Sequence, residues 1–253
     1  MFDSGIGGLS VLTEIRAIMP GADLLYVADR ARAPYGNRSL LEVARLAHEI
    51  ADWLVDRGCS TIVVACNTAS AAALHSLRGR HPAVPIVGME PAVKPAAEIT
   101  KTGVIGVFAT AATFQGELFD SVVDRHAGDV EIIATACPGW VDLVERGAVS
   151  GLEPERVISE DVRPVVAAGA DVLVLGCTHF SFLAPAISAV AGDEVIVYDP
   201  APAVAAQVAR VAAGTGGGGR VTLAGSGDLS ELSEMAAKVA GITADAPVVA
   251  FPS

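Results

Sequence analysis

A nine-residue pattern occurs twice in this chain. Gly58-Cys59-Ser60-Thr61-Ile62-Val63-Val64-Ala65-Cys66 aligns without gaps on Gly169-Ala170-Asp171-Val172-Leu173-Val174-Leu175-Gly176-Cys177, at a constant offset of 111 residues. Each copy follows a helix-like stretch and ends on a cysteine. Each is followed by a second apolar run that closes on an acid and a proline, Glu90-Pro91 and Asp199-Pro200. Phe2-Asp3-Ser4 matches Phe108-Ala109-Thr110 more loosely. Such self-similarity is the mark of a duplicated structural unit. It divides the chain into a first α/β domain at 1–92, a second at 93–201, and a tail. The tail, 202–253, is too small to stand alone and is expected to rejoin the first domain.

Short apolar runs alternate with longer amphipathic stretches throughout, the pattern of repeated β-α units on a parallel sheet. Strands are predicted at 23–28, 61–65, 86–89, 104–109, 131–135, 172–176, 195–198 and 221–224. Helices are predicted at 9–19, 39–57, 68–80, 114–127, 155–168, 184–191, 203–213 and 229–240. The glycine run 214–219 reads as a loop. The expected fold class is α/β, as two similar flavodoxin-like halves with parallel sheets facing across a central cleft.

Composition narrows the function. The chain has 253 residues, 52% hydrophobic and only 5% aromatic, with a mean hydropathy of +0.50. A chain of this length buries roughly 70% or more of its unfolded surface and needs no disulfide or metal to hold a core. A net charge of −12 argues against nucleic acid and anionic membranes, which require clustered Lys and Arg. Met1-Phe2-Asp3-Ser4 shows no basic, apolar leader, and the apolar stretch 172–187 is too interrupted to span a bilayer. Four cysteines without a Cys-x-x-Cys then imply reduced thiols and a cytoplasmic location.

Ligands of parallel sheets bind beyond the carboxyl ends of the strands. Cys66 and Cys177 both stand there, each just ahead of a helix. Neighbouring backbone N–H groups and the helix dipole are expected to lower both thiol pKa values. Two thiols on facing halves suit a 1,1-proton transfer, in which one removes the α-hydrogen and the other returns a proton to the opposite face. The alternative for each is a buried structural cysteine, which is how Cys59 and Cys137 are read.

Four motifs in register, Phe2-Asp3-Ser4-Gly5-Ile6-Gly7-Gly8-Leu9, Ala33-Pro34-Tyr35-Gly36, Ala65-Cys66-Asn67-Thr68-Ala69-Ser70 and Leu175-Gly176-Cys177-Thr178-His179-Phe180, are very similar to the glutamate racemases. The resemblance runs over nearly the whole chain. It implies a cofactor-independent isomerase that interconverts L- and D-glutamate and supplies D-glutamate for peptidoglycan, working in the cytoplasm as a homodimer. It implies that Cys66 exchanges the proton of the D-enantiomer and Cys177 that of the L-enantiomer, supported by Asp3 and His179 respectively. Ser4, Pro34, Tyr35, Gly36, Asn67, Thr68 and Thr178 match substrate-holding positions, and Thr110 and Thr113 look like contacts from the second half. Asp29 and Glu145 resemble acidic auxiliaries. His179 favours glutamate over aspartate, whose racemases carry an acid after Cys-Thr. The other readings are a racemase of another amino acid, or an inactive relative that binds a small molecule.

Several residues have plainer alternatives. Asp3 could cap the next helix. Gly5-Ile6-Gly7-Gly8 could be a nucleotide loop, although the third spaced glycine and the Lys-Ser/Thr ending are missing. Asp29 could lie in a solvated turn, and Glu145 could form a surface pair with Arg146. His48, His75, His81 and His126 read as surface residues without partners. The sequence also departs from the resemblance. Only Met1 and Phe2 precede Asp3, Gly139-Trp140-Val141-Asp142 replaces an apolar stretch where Trp140 could reshape the pocket wall, and Ser181 stands where proline is common.

Overall fold

Both copies of the repeat become a buried strand followed by a cysteine at its carboxyl end. The computed structural model describes residues 1–212 and 216–252. Its strands are β1 (Phe2–Asp3), β2 (Leu24–Ala28), β3 (Ile62–Val64), β4 (Ile86–Gly88), β5 (Val104–Ala109), β6 (Glu131–Ala136), β7 (Val172–Leu175), β8 (Ile196–Tyr198), β9 (Val221–Gly225) and β10 (Val249–Ala250). The helices are α1 (Leu9–Ile18), α2 (Leu40–Asp56), α3 (Asn67–Arg80), α4 (Val93–Ile99), α5 (Ala111–Phe114), α6 (Glu117–His126), α7 (Pro138–Glu145), α8 (Leu152–Ala167), α9 (Ala184–Ala191), α10 (Ala201–Val211) and α11 (Leu229–Ala240). Shorter 3-10 turns cover Arg30–Arg32, Tyr35–Asn37 and Thr178–Leu183.

Every ladder is parallel, and the strands form two sheets. One has the order β10-β9-β2-β1-β3-β4 and the other β6-β5-β7-β8. Replacing strands 1 to 4 by 5 to 8 converts the last four strands of the first sheet, β2-β1-β3-β4, into the second. The register agrees as well, since Phe2 pairs with Val64 where Phe108 pairs with Leu175. The duplication seen in the sequence is therefore one of topology. β9 and β10, from the tail, lie in the first sheet.

Helices cover both faces of these sheets, which is why β3 reads Ile-Val-Val and β7 Val-Leu-Val-Leu, buried at every position. The edge strands β6 and β10 are more exposed. The largest apolar cluster belongs to both halves: Ile6 and Leu12 join Phe108, Trp140, Leu175 and Phe180. Two outer clusters each serve one half. Trp140 is fully buried at the centre, 5.2 Å from Phe108 in a stacked arrangement and 4.8 Å from Phe180 edge-on. It is thus a core residue and not part of the pocket wall.

Several elements differ from the sequence reading. β1 and β10 are two residues long, too short for an alternation to register. α7 begins on Pro138 at its first turn, where a missing N–H costs nothing, and α4 is only seven residues long. The helix expected at 114–127 begins only at Glu117, and Phe114 closes the short α5; between them Gly116 passes close to α3, where an added Cβ would lie 2.8 Å from the Ala71 Cβ. Of the helix expected to end at Ala213 and the glycine loop from Gly214, those two residues lie outside the described ones. Among the described residues no helix is long and apolar enough to cross a membrane.

Removing the indole from this stack leaves a cavity shared by both halves. Trp140→Ala should lower the unfolding free energy by about 3–5 kcal/mol in urea titrations, and Trp140→Phe by clearly less. An unchanged midpoint for the alanine variant would show that the stack does not support the core.

Candidate active site

The carboxyl ends of β1, β3, β5 and β7 converge on one cavity of about 220 Å³. Clefts of about 440 and 570 Å³ exist elsewhere, but this one holds both repeat cysteines. Cys66 and Cys177 line it, one from each sheet, at 5% and 7% exposure. Their backbones match, with φ, ψ of −142°, 120° and −147°, 133°. Its volume is below the roughly 300–1,000 Å³ of pockets for drug-sized ligands, so it suits a small substrate.

Cys66 is the N-cap of α3, and its sulfur accepts a hydrogen bond from the Ala69 N–H at 3.5 Å. That contact favours the thiolate, but burial, and next the carboxylate of Asp3, push the Cys66 thiol well above its ordinary pKa. The expectation of a lowered pKa is overturned for Cys66, because desolvation outweighs the helix end. Cys177 lies 3.8 Å from His179 Nδ1, and His179 Nε2 lies 2.7 Å from Glu145 Oε1. Burial opposes charge on His179, but its bonds to Cys177 and Glu145 and the charge of Asp3 prevail, raising the imidazole well above its ordinary range. Burial likewise works against ionised Glu145, yet His179, the Ile6 N–H and Arg30 bring its carboxyl down to about 2.

Asp3 is fully buried. It accepts from Ser4 N at 2.7 Å, Gly8 N at 2.6 Å and Thr178 Oγ1 at 3.3 Å, and it lies 4.0 Å from His179 Nδ1. The Ile6 N–H donates to Glu145 Oε1 at 2.8 Å. Residues 4–8 are therefore folded onto two carboxylates rather than onto a phosphate. Their glycines answer to that packing: an added Cβ on Gly7 would sit 2.3 Å from His179 Nδ1, and one on Gly5 would sit 1.9 Å from Glu145 Oε1.

Asn67 is buried on the cavity wall, and neither its amide nitrogen nor its amide oxygen has a hydrogen-bond partner. Thr68 Oγ1 meets Thr110 Oγ1 at 2.9 Å and Thr113 Oγ1 at 3.3 Å, while Thr110 and Thr113 are 2.9 Å apart. This hydroxyl triangle ties the two halves together, although Thr113 stands behind the wall. Ser4, Pro34, Tyr35, Gly36 and Thr178 also line the cavity, Pro34 following a cis peptide bond.

Asp29 is not in a solvated turn. Fully buried behind the pocket, it accepts from Tyr35 Oη, from Ser226 Oγ at 2.7 Å and from Arg32 Nε at 2.8 Å. Glu145 pairs with Arg30 at 3.3 Å, while Arg146 pairs with Glu153. His48 bonds Ser76 Oγ at 2.9 Å and His81 lies 2.9 Å from Asp52, so both have partners after all. Cys137 is fully buried and its Sγ lies 3.5 Å from the Thr135 carbonyl, while Cys59 is half-buried near Met1 at the other end of the sheet. The wall residues Pro138, Val141 and Asp142 were not anticipated. Their signal was the repeat itself, because β6 occupies the place of β2, whose following loop carries Pro34.

Residues 10–208 match the Asp/Glu/hydantoin racemase family model. A glutamate racemase of Roseiflexus sp. (strain RS-1) is 52% identical over 83% of this chain and 78% of its own length. The crystal structure of Escherichia coli glutamate racemase, in complex with L-glutamate and the activator UDP-MurNAc-ala, superposes with a TM-score of 0.87. It is 28% identical, and the match covers 99% of this chain and 96% of that one. The Thermus thermophilus enzyme, in complex with beta-chloro-D-alanine, gives 0.82 at 35% identity, covering 100% and 94%.

The Glu145–His179 pair has a defined pH window. Glu145, lowered from an ordinary 4.5, adds stability above that pH and loses it as pH falls towards 2. His179, raised from 6.5, adds stability below that pH and loses it as pH climbs through its raised value. Glu145→Gln should therefore lower the unfolding free energy most between pH 4.5 and 6.5, by about 2 kcal/mol. A loss independent of pH would remove the ion pair as its cause. Gly7→Ala should drive the imidazole off Glu145, seen as a fall of the His179 pKa in NMR titrations.

Proposed function

The chain belongs to the Asp/Glu/hydantoin racemase family, and on that premise we propose that it interconverts L- and D-glutamate by two-thiol proton transfer, without a cofactor. The observation that carries this reading is the sharing of one small cavity by Cys66 and Cys177, one from each half of a duplicated fold.

The reaction runs between two protonation forms. Burial and Asp3 favour the thiol at Cys66, and Cys177 has His179 Nδ1 at 3.8 Å. In the form that accepts L-glutamate, Cys177 takes the α-proton, and Cys66 delivers its own proton to the other face. The enzyme then holds a Cys66 thiolate and a Cys177 thiol, the form that accepts D-glutamate. His179 is oriented by Glu145, and Asp3 by the N–H groups of Ser4 and Gly8.

Binding falls to groups with unused capacity. The free amide of Asn67 and the hydroxyls of Ser4, Thr68, Thr110 and Thr178 provide donors and acceptors for two carboxylates and an ammonium group. The N–H groups at the start of α3 favour an anion. Tyr35, clamped by Asp29, and Gly36 close the wall opposite Thr110. Thr113 holds Thr110 and Thr68 in place. The D-glutamate so formed serves peptidoglycan synthesis in this reading, which places the enzyme in the cytoplasm, where thiols stay reduced. A homodimer is proposed on the family resemblance and as the commonest soluble assembly.

Incubation with L-glutamate in D₂O should cause loss of optical rotation together with deuterium incorporation at the α-carbon. No exchange with glutamate would sink the assignment. Cys66→Ala and Cys177→Ala should each reduce racemisation by about 10²–10⁴-fold or more, with thermal stability little changed. The kcat–pH profile from L-glutamate should be bell-shaped and belong to the coupled pair. Its alkaline limb should lie high, because Cys66 gives up its proton only as pH passes its raised value.

A further inference from the structure

The two carboxylate oxygens of Glu145 have different tasks. Oε1 accepts from the Ile6 N–H at 2.8 Å and lies 2.7 Å from His179 Nε2. Among the described residues Oε2 has a single partner, Arg30 Nε, at 3.3 Å. The last torsion of a glutamate side chain is broad and roughly two-fold, so bonds to one oxygen alone leave the carboxylate plane free to turn. A donor on the other oxygen fixes it. The side chains of Glu145 and Arg30 are only 19% and 13% exposed, so water screens this pair less than one on the surface.

Arg30 reaches that oxygen from a turn that is itself pinned. It opens the 3-10 turn Arg30–Arg32 just after β2. Arg32 Nε donates back to buried Asp29 at 2.8 Å. The Ala31 N–H donates to Ser226 Oγ at 3.0 Å, and that hydroxyl donates to Asp29 Oδ1 at 2.7 Å. Gly227, with a φ of 82°, passes beside Ala31, where an added Cβ would lie 3.5 Å from the Ala31 nitrogen. The chain then enters α11, capped by Asp228, and its first turn brings Glu231 to 3.0 Å from Arg30 Nη1. The guanidinium is thus held from two sides, by the tail helix of the first half and by α7 of the second. It borders a chamber of about 300 Å³ that shares Ser4, Pro34, Asp142 and His179 with the thiol cavity. Among the described residues no other lysine or arginine lines either space, so no second cation stands ready to replace it.

We propose that Arg30 is a positioning residue for proton transfer at Cys177. By holding Oε2 it fixes the plane of the Glu145 carboxylate, and Oε1 then aims the imidazole whose Nδ1 lies 3.8 Å from the Cys177 sulfur. The charge of Arg30 opposes an imidazolium, so its contribution is geometric. A guanidinium suits the task better than an ammonium, because its planar fork meets Glu145 and Glu231 at once. The effect on turnover rests on the two-thiol reading, whereas the effect on His179 does not.

Arg30→Met keeps an apolar stem and removes both donors. In the free protein, exchange of the His179 Nε2–H with water should quicken about tenfold, read by NMR on histidine-labelled protein. Arg30→Lys, with a cation but no fork, should recover part of that loss. Glu231→Gln, at a half-exposed position, should quicken the exchange less than Arg30→Met. With glutamate, kcat/KM of Arg30→Met should fall about tenfold in both directions. Isotope effects on kcat/KM separate positioning from a loss of folded protein. The effect should rise with α-deuterated L-glutamate, whose deuteron goes to Cys177, and fall with α-deuterated D-glutamate. An unchanged Nε2–H exchange rate in Arg30→Met would overturn the proposal, as would a slower enzyme whose two isotope effects stay the same. If the unsubstituted protein exchanges no α-proton of glutamate, the racemase reading falls, and the His179 exchange rates alone decide what Arg30 does to Glu145.

Discussion

Two carboxylates seated on one loop hold the molecule's centre in place. Asp3 accepts from Ser4 and Gly8, and Glu145, from the other half, accepts from Ile6 between them. The loop has no regular structure and would otherwise bury backbone N–H groups without partners, at about 1–3 kcal/mol each. Once these bonds form, the position of Asp3 beside Cys66 and that of Glu145 beside His179 are no longer independent. The link runs on through Thr178 Oγ1 to Asp3 and from Ser10 Oγ to the Thr178 carbonyl at 3.3 Å. The same few bonds that join the halves therefore also fix Asp3 and His179 relative to Cys66 and Cys177.

This coupling explains how so many ionisable groups share a small volume. A lone buried charge is far too costly, whereas a chain of alternating sign is tolerable when each member is hydrogen-bonded. Here the sequence runs from Asp3 through His179 and Glu145 to Arg30, and Arg30 reaches Glu231 at 3.0 Å near the surface. Cys66 is the member left without a cation. Burial first, and then Asp3, hold its thiol well above the ordinary range.

The sheets and both cysteines were legible because buried parallel strands are written as uninterrupted aliphatic runs, and because the runs occur twice. The short elements were not. Phe2–Asp3 is a strand only because β2 and β3 lie on either side of it, a fact no local window contains. α7 begins with Pro138, a residue that reads as a break and here is a start. The glycines of residues 5–8 invited comparison with a phosphate loop, and only the positions of His179 and Glu145 show what they leave room for. The thiol environment was misjudged for the same reason: a helix end is visible in sequence, whereas the depth of burial and a carboxylate 63 residues away are not.

The matching strand orders carry a further meaning for a reaction whose substrate and product are mirror images. The two sheets repeat one strand order, and the two cysteines at their carboxyl ends have matching backbones, so similar backbone surroundings stand behind each thiol. Enantiomers have equal free energy, so kcat/KM must be the same in both directions whatever the side chains do. The departure from that repeat, a carboxylate behind one sulfur and an imidazole behind the other, cannot favour one enantiomer at equilibrium. It decides only in which protonation form the empty protein waits, and so how kcat and KM are divided between the forward and reverse reactions.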